Sequence, residues 1–179
     1  VEEIRVNNII MNNIQRNAFI FDLFYDKTSK PEPITERTPV FRNIHISNVT
    51  GSNIKKIGYI TGIEEMPIEE ISFSNINLVG VEGFSATTAK NIQFHNVDFA
   101  VDKGASFSFD ECQDIVLNNV RSKKPIAGQA VVEVQNSKNV FLNDCFPIVS
   151  TDIFCQSKEG GIIWGNNFMN NVKEAHIQK

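Results

Sequence analysis

Short runs of alternating apolar and polar residues recur along the chain, and each run ends in Asn or Asp. In one copy the apolar Ile44 and Ile46 flank His45, and Asn48 follows before the next apolar residue. A period of two is typical of a half-buried strand, so Ile44 and Ile46 should point into a core and His45 toward solvent. The closing Asn or Asp stands at residues 8, 48, 75, 96, 119, 144 and 166.

The spacing of these copies indicates a solenoid. Successive copies are 40, 27, 21, 23, 25 and 22 residues apart, and the long first interval contains a loop from Asp26 to Pro39. Repeats of this length with short strands fit a parallel β-helix or a leucine-rich repeat. The Asn comes two residues after the second apolar position, whereas the leucine-rich pattern places it three residues after. Second strands are predicted at Ile57–Ile63, Gly83–Ala89, Ala105–Glu111, Ala130–Asn136 and Asp152–Ser157.

The composition supports an all-β chain. Ile occurs 23 times, Val 16 times and Phe 14 times, but Leu occurs only 4 times. β-branched and aromatic residues suit a pleated, half-buried surface. The 21 Asn residues suit corners between sheets, because Asn tolerates left-handed backbone angles. We therefore predict one β-helix domain over residues 1–179 with about seven or eight coils, in which corner amides hydrogen-bond from coil to coil.

Charge and cysteine content narrow the class of protein. The formal net charge is −4 and the isoelectric point is about 5.4. No Lys/Arg face that would bind nucleic acid stands out, and no apolar run reaches the roughly 18 residues of a membrane span. Three cysteines without a CxxC spacing favour buried free thiols, although a disulfide stays possible. The scattered His45, His95 and His176 predict no metal site, and we expect no cofactor.

Three stretches resemble glycoside hydrolase family 28, the polygalacturonase-like pectinases. They are Val1–Ile14, Arg37–Val49 and Gly62–Ile71. The resemblance implies a right-handed parallel β-helix and places this chain at the C-terminal coils of a longer one. The family's Asn-Thr-Asp, Asp-Asp, Gly-His-Gly and Arg-Ile-Lys motifs do not occur here. The resemblance thus implies a segment of an enzyme that hydrolyses galacturonate-containing polymers with inversion, inactive alone and extracellular or periplasmic.

Two other functions stay open. One is a non-catalytic β-helix that binds carbohydrate or acts as an adhesin-like rod. The other, less favoured, is a relative of the pectate lyases, which would need an acidic calcium site and an Arg base. No convincing acidic cluster is present. Glu64–Glu65, Glu69–Glu70, Asp110–Glu111 and Asp22 are interpreted as solvated carboxylates rather than as the acid pair of a glycosidase.

The loop after the first strand is the best candidate for contact with a polysaccharide. Loops of this length in compact folds are often functional. Its cations suit polygalacturonate, which is a polyanion, and an aromatic ring could stack on a sugar. The predicted substrate-binding residues are Arg16, Tyr25, Lys27 and Arg37.

The N-terminal coil should be covered. A terminal coil of a solenoid leaves strand edges and apolar interior open, and no cap is visible near Val1. We expect further coils or another chain on this edge. At the other end, Trp164, Phe168 and Met169 precede a polar stretch that resembles a natural stop.

Overall fold

The computed structural model describes residues 1–24 and 33–179, and in this part of the chain it is a parallel β-solenoid. Strands make up 74% of it, with no helix among the described residues. None of the described segments is therefore a helix that could span a membrane. The strands are β1 (Glu2–Asp22), β2 (Arg42–Thr61), β3 (Ile68–Thr87), β4 (Ala89–Asp110), β5 (Gln113–Ser122), β6 (Ala130–Gln135), β7 (Lys138–Asn143), β8 (Phe146–Pro147), β9 (Thr151–Lys158), β10 (Ile162–Trp164) and β11 (Val172–Gln178).

Each coil follows three walls, and every pairing between named strands is parallel. The first wall is formed by the first segment of each of seven strands, which stack in the order β1, β2, β3, β4, β5, β7 and β10. The second wall follows the repeat Asn, and the third wall closes the coil. β1 to β4 bend through all three walls without a break. In later coils the third wall is formed by β6, β9 and β11.

The solenoid has about five turns, fewer than the seven or eight expected. Counting one coil per repeat overestimated the number, because the last repeats do not build complete turns. β7 has six residues, β10 has three, and β8 on the second wall has two. The predicted architecture is confirmed, and the predicted coil count is wrong.

Stacked apolar side chains fill the interior. Ile44 is 2% exposed and Ile46 is 4% exposed, whereas His45 is exposed, as the alternation predicted. Phe73 and Phe94 lie one above the other with ring centroids 4.9 Å apart and nearly parallel planes. Phe84 and Phe107 meet Phe94 edge-on at 5.3 and 5.2 Å. Register between coils thus brings like residues together, which explains the many Ile and Phe residues and the few Leu.

The corners are made by residues with left-handed backbone angles. Asn48, Asn75 and Asn96 have φ between 54° and 55°. Residues 8, 119 and 144 have φ between 51° and 58°. The Asn75 amide donates to Asn48 Oδ1 at 3.1 Å, and the Asn96 amide donates to Asn75 Oδ1 at 2.8 Å. Each amide therefore donates toward the preceding coil, which confirms the predicted ladder. Asn166 also belongs to the ladder, because its amide donates to Asp144 Oδ1 at 3.3 Å. Its φ, however, is not left-handed.

Other corners use residues that the sequence did not mark. Glu70, Thr88 and Glu111 also have φ between 51° and 55°. Left-handed φ is unusual for Thr and Glu, since their Cβ crowds the backbone. The stacked backbone hydrogen bonds of neighbouring coils hold these residues in place, for instance Thr88 N to Asp110 O at 3.2 Å.

The buried carboxylate of Asp98 anchors the turn that follows β5. Asp98 is 1% exposed, and Arg121 Nε donates to its Oδ1 at 3.1 Å. Its Oδ2 has ion-pair contacts with Arg121 Nη2 at 3.0 Å and Lys123 Nζ at 2.6 Å. Arg121 also donates to Asn96 Oδ1, so this cluster ties the turn to the Asn ladder.

Cys112, Cys145 and Cys155 are buried free thiols. Burial raises the pKa of Cys112 and of Cys155 to about 12 and that of Cys145 to about 11. Their neutral forms pack as small apolar groups in the interior.

Candidate functional site

The outer face of the third wall contains a groove that crosses several coils. It consists of two adjoining depressions of about 340 and 200 Å³, both bordered by Ser85, Ser108 and Glu133. The strand register explains this continuity, because Ser85 pairs with Ser108 and Ser108 pairs with Glu133. Alternation turns these side chains outward while Phe84, Phe107 and Val132 point inward. We call this feature the third-wall groove.

Two lysines border the first part of this groove. Lys56 pairs in register with Glu82, and Glu82 pairs with Lys103. Within the described residues, neither lysine makes a salt bridge, so both ammonium groups are available to an anion. Lys56 Nζ lies 5.4 Å from the centroid of the Tyr59 ring, which is a cation–π contact.

Tyr59 is fixed next to the groove by Asp22. Its hydroxyl donates to Asp22 Oδ2 at 3.0 Å, and Asp22 Oδ1 accepts from the Phe24 backbone N–H at 2.8 Å. Burial, followed by the hydrogen bond to Asp22, raises the pKa of the Tyr59 phenol. Asp22 is exposed on the outer face, as expected from alternation, and its carboxylate positions an aromatic ring.

The structure places Arg16 beside this region. The pairing of β1 with β2 shifts register between Ile14 and Asn17, which inserts one extra residue in β1 opposite Lys55. Arg16 lies in this β-bulge and is exposed. Bulges redirect side chains, and Asn17 pairs with Lys56. Arg16 therefore precedes the residue that pairs with Lys56, on the neighbouring coil of the third wall, and it is not among the residues that line the groove.

The other predicted binding residues are not brought to this groove. Tyr25 and Lys27 lie outside the described residues. Arg37 is exposed in a short turn closed by the hydrogen bond from Thr38 N to Thr35 O at 3.0 Å. Its own backbone N–H donates to Thr35 Oγ1. The structure provides no contact between the Arg37 side chain and the groove.

The carboxylates near the groove are solvated. Glu82 and Glu133 are exposed, and Asp110 is half-buried with its Oδ1 accepting from the Asn136 amide at 3.0 Å. Glu64 and Glu65 occupy the turn between Ile63 and Met66. The acid of a glycosidase, by contrast, is typically shielded from water in an apolar pocket. In the described residues, no group of three or more His, Cys, Asp or Glu side chains is placed to hold a metal ion.

A second groove, of about 520 Å³, lies on the outer face of the first wall. Its lining includes Asn43, His45, Ser72, Gln93 and Asn118. His45 Nδ1 lies 2.6 Å from Ser72 Oγ, and His45 Nε2 lies 3.1 Å from Asn43 Oδ1. We call this feature the first-wall groove.

The first-wall groove was not predicted from the sequence. Alternation assigned His45 to the solvent face, which is correct, but it did not show that His45 and His95 line one depression. Aligning the repeats on their Asn would have placed His45, Ser72 and Gln93 in one column, as the strand register does. The useful signal was the stacking of repeats, since no single motif distinguishes these residues.

Comparison with known proteins identifies no relative. The chain matches no family model, no curated protein and no solved structure.

Proposed function

We propose that this chain is a carbohydrate-binding β-solenoid segment, the C-terminal part of a pectinase of the family 28 type, and that the third-wall groove binds galacturonate-containing polymer. The observation that carries the proposal is the pair Lys56 and Lys103, at a groove that crosses successive coils, since neither lysine has an ion-pair partner among the described residues. An ammonium group attracts the carboxylate of a galacturonate unit. Tyr59 and Arg16 supply an aromatic ring and a third cation on the same wall.

The proposed segment does not hydrolyse the polymer alone. The family's catalytic motifs do not occur in residues 1–179, and the carboxylates around the groove are solvated. Inverting hydrolysis needs one carboxyl group that stays protonated and a second that activates water. In this proposal the protein acts outside the cytoplasm, in the extracellular space or the periplasm, where pectic polymers occur.

A binding measurement tests this proposal. The 179-residue chain is titrated with oligogalacturonides by calorimetry, and we expect binding that weakens as salt is added. The double variant K56Q/K103Q should bind roughly tenfold more weakly, since each exposed ion pair contributes up to about 1 kcal/mol. The matched control is K138Q, which removes an exposed lysine at the start of β7, away from the groove. Equal affinity of the double variant and the wild type would refute the assignment of the groove.

The same groove supports a second candidate, a non-catalytic carbohydrate-binding or adhesin-like module. The solvated carboxylates favour it, because binding alone does not require a protonated acid. The coding sequence upstream of Val1 distinguishes the two candidates. Asp-Asp and Arg-Ile-Lys motifs there would support the enzyme segment. Release of reducing sugars from polygalacturonate by the 179-residue chain would contradict its proposed inactivity.

We also propose that further coils or a second chain cover the free edge of β1. β2 is the partner of β1 among the described residues, and Val1 and Ile4 are 56% and 38% exposed. Glu3, Asn8 and Asn13 already have the left-handed φ of corners that stack on another coil. The isolated chain should therefore self-associate or bind the dye ANS. A monodisperse monomer that binds no ANS would contradict this part of the proposal.

A further inference from the structure

The outer face of the first wall changes character along the solenoid axis. Its first column of outward side chains is defined by strand register, and each member pairs with the next. From the N-terminal coil onward the column contains Arg5, His45, Ser72, Gln93, Val116, Phe141 and Ile163. It begins with groups that form hydrogen bonds and ends with apolar groups.

The polar part of this column lies in the first-wall groove, together with part of a second column. Ser74, His95 and Asn118 pair in succession beside it and also line the groove. Hydroxyl, amide and imidazole groups offer both donors and acceptors. Among the described residues, no lysine or arginine lines the groove, and Glu70 is the single carboxylate that does. The groove therefore suits a ligand that is rich in hydroxyl groups and carries no charge.

Some of these side chains are already held in place. Ser72 Oγ and Asn43 Oδ1 contact the two ring nitrogens of His45, and the Gln93 amide donates to Asn91 Oδ1 at 3.2 Å. Asn43 Oδ1 also accepts from Arg5 Nη2 at 2.9 Å, which ties this end of the groove to β1. Side chains fixed before binding lose little rotamer entropy when a ligand arrives.

The apolar part continues directly from the groove. Val116 lines the groove and pairs with Phe141, which is 38% exposed, and Phe141 pairs with Ile163, which is 43% exposed. A sugar ring has hydroxyl groups around its edge and C–H groups on its faces. The C–H faces can pack on an aromatic ring while the hydroxyl groups bind polar side chains.

We propose that this face is a second carbohydrate site, which binds an uncharged oligosaccharide laid along the solenoid axis. Hydroxyl groups of the ligand bind in the first-wall groove around Ser72 and Gln93, and one sugar ring packs on Phe141. Four coil steps separate His45 from Phe141, so the site is about 19 Å long, the size of a short oligosaccharide. This site is independent of the third-wall groove, where Lys56 and Lys103 favour an anionic ligand.

The test uses neutral oligosaccharides of two to six sugars, screened as an array and then titrated into the 179-residue chain by calorimetry. Affinity should rise with ligand length and then level off, because only a longer ligand reaches both the groove and Phe141. F141A should weaken binding of the longest ligand roughly three- to tenfold and leave binding of the disaccharide almost unchanged. Q93A should weaken binding of every length that binds, by a similar factor.

Three controls keep the test decisive. F168A removes an exposed aromatic ring outside both columns and should not change affinity, and K56Q should also leave it unchanged. Amide chemical-shift changes in the wild-type protein should map to β2, β3, β4, β5 and β7 on the first wall, which makes the result independent of variant folding.

Several outcomes would overturn this proposal. They are binding of no neutral oligosaccharide, affinity that F141A and Q93A leave unchanged, and loss of neutral-ligand binding in K56Q. None of these outcomes contradicts oligogalacturonide binding at the third-wall groove. Conversely, absence of oligogalacturonide binding would not contradict the first-wall site.

Discussion

The edge coil β1 and the interior coil β3 have nearly the same pattern but different surroundings. Both alternate apolar and polar residues, and both turn corners at Asn with left-handed φ. Ile4 and Ile71 occupy the same inward column, yet Ile4 is 38% exposed and Ile71 is 1% exposed. The difference shows that the repeat specifies which side chains point inward, whereas a coil on each side buries them. Substitutions at matching positions of the two coils can therefore measure what a neighbouring coil contributes.

The largest expected effect concerns the thiols, which are buried in coils far along the axis from β1. Cys112, Cys145 and Cys155 are at most 2% exposed, and the reactive species is the thiolate. Ellman's reagent at pH 8 should therefore label the native chain more slowly than the unfolded chain by at least roughly a thousandfold, following global unfolding. Hydrogen exchange of β1 should be faster than this labelling if the edge coil opens separately. Complete labelling within minutes under native conditions would contradict the burial of these thiols.

The same thiols give stability a defined pH dependence. Below about pH 9, the ordinary thiol pKa, folded and unfolded chains both keep these protons, so the contribution to stability is fully present. Above it the unfolded chain releases protons that the folded chain retains up to about pH 11 or 12, so stability falls as pH rises. The slope is up to about 1.4 kcal/mol per pH unit for each thiol. Urea unfolding of C112A between pH 8 and 10.5 should show a shallower decline than the wild type, which also separates the thiols from Tyr59.

The next effect compares Ile71→Ala with Ile4→Ala. Removing the Ile71 side chain leaves a cavity between two coils and should lower the free energy of unfolding by about 3 kcal/mol. Ile4→Ala should cost less than about 1 kcal/mol, because its side chain is already partly solvated. Urea unfolding at low protein concentration measures both. Equal losses would contradict the exposure of Ile4 and would indicate that β1 is covered in solution.

The sequence predicted the architecture better than the sites, for a physical reason. Alternation and the repeat Asn depend on local backbone geometry, so Ile44, Ile46 and the Asn75 corner were correctly predicted. Both grooves depend on which outward residues stack. Aligning the repeats on their Asn gives that register for the first wall, but irregular spacings of 21 to 27 residues obscure it for the third wall. The bulge at Arg16 arises from a mismatch in length between two coils, which neither segment shows alone. The number of complete turns was overestimated, because the repeat motif that begins at Ile162 forms a strand of only three residues.

The smallest expected effect separates the ladder hydrogen bonds from the corner geometry. Asn75 has φ of 54°, donates to Asn48 and accepts from Asn96, whereas Asn13 has φ of 60° and accepts from Asn53 at 2.7 Å. Ala disfavours left-handed φ, and this costs roughly 1 kcal/mol at each of the two corners. Asn75→Ala should therefore lower the free energy of unfolding by about 2 kcal/mol, and Asn13→Ala by about 1 kcal/mol or slightly more, since one ladder bond is lost instead of two.

Glycine and aspartate at residue 75 complete this comparison. Asn75→Gly keeps the left-handed φ without strain. Its decrease in the free energy of unfolding therefore measures the two exposed amide hydrogen bonds together with the backbone entropy of Gly. Asn75→Asp can still accept from Asn96 but cannot donate to Asn48, and its carboxylate corresponds to Asp144 in a later coil. We expect Asp to be less destabilising than Ala, because it tolerates the left-handed φ and keeps one of the two bonds. If Gly, Asp and Ala were equally destabilising at residue 75, the ladder would contribute nothing beyond corner geometry.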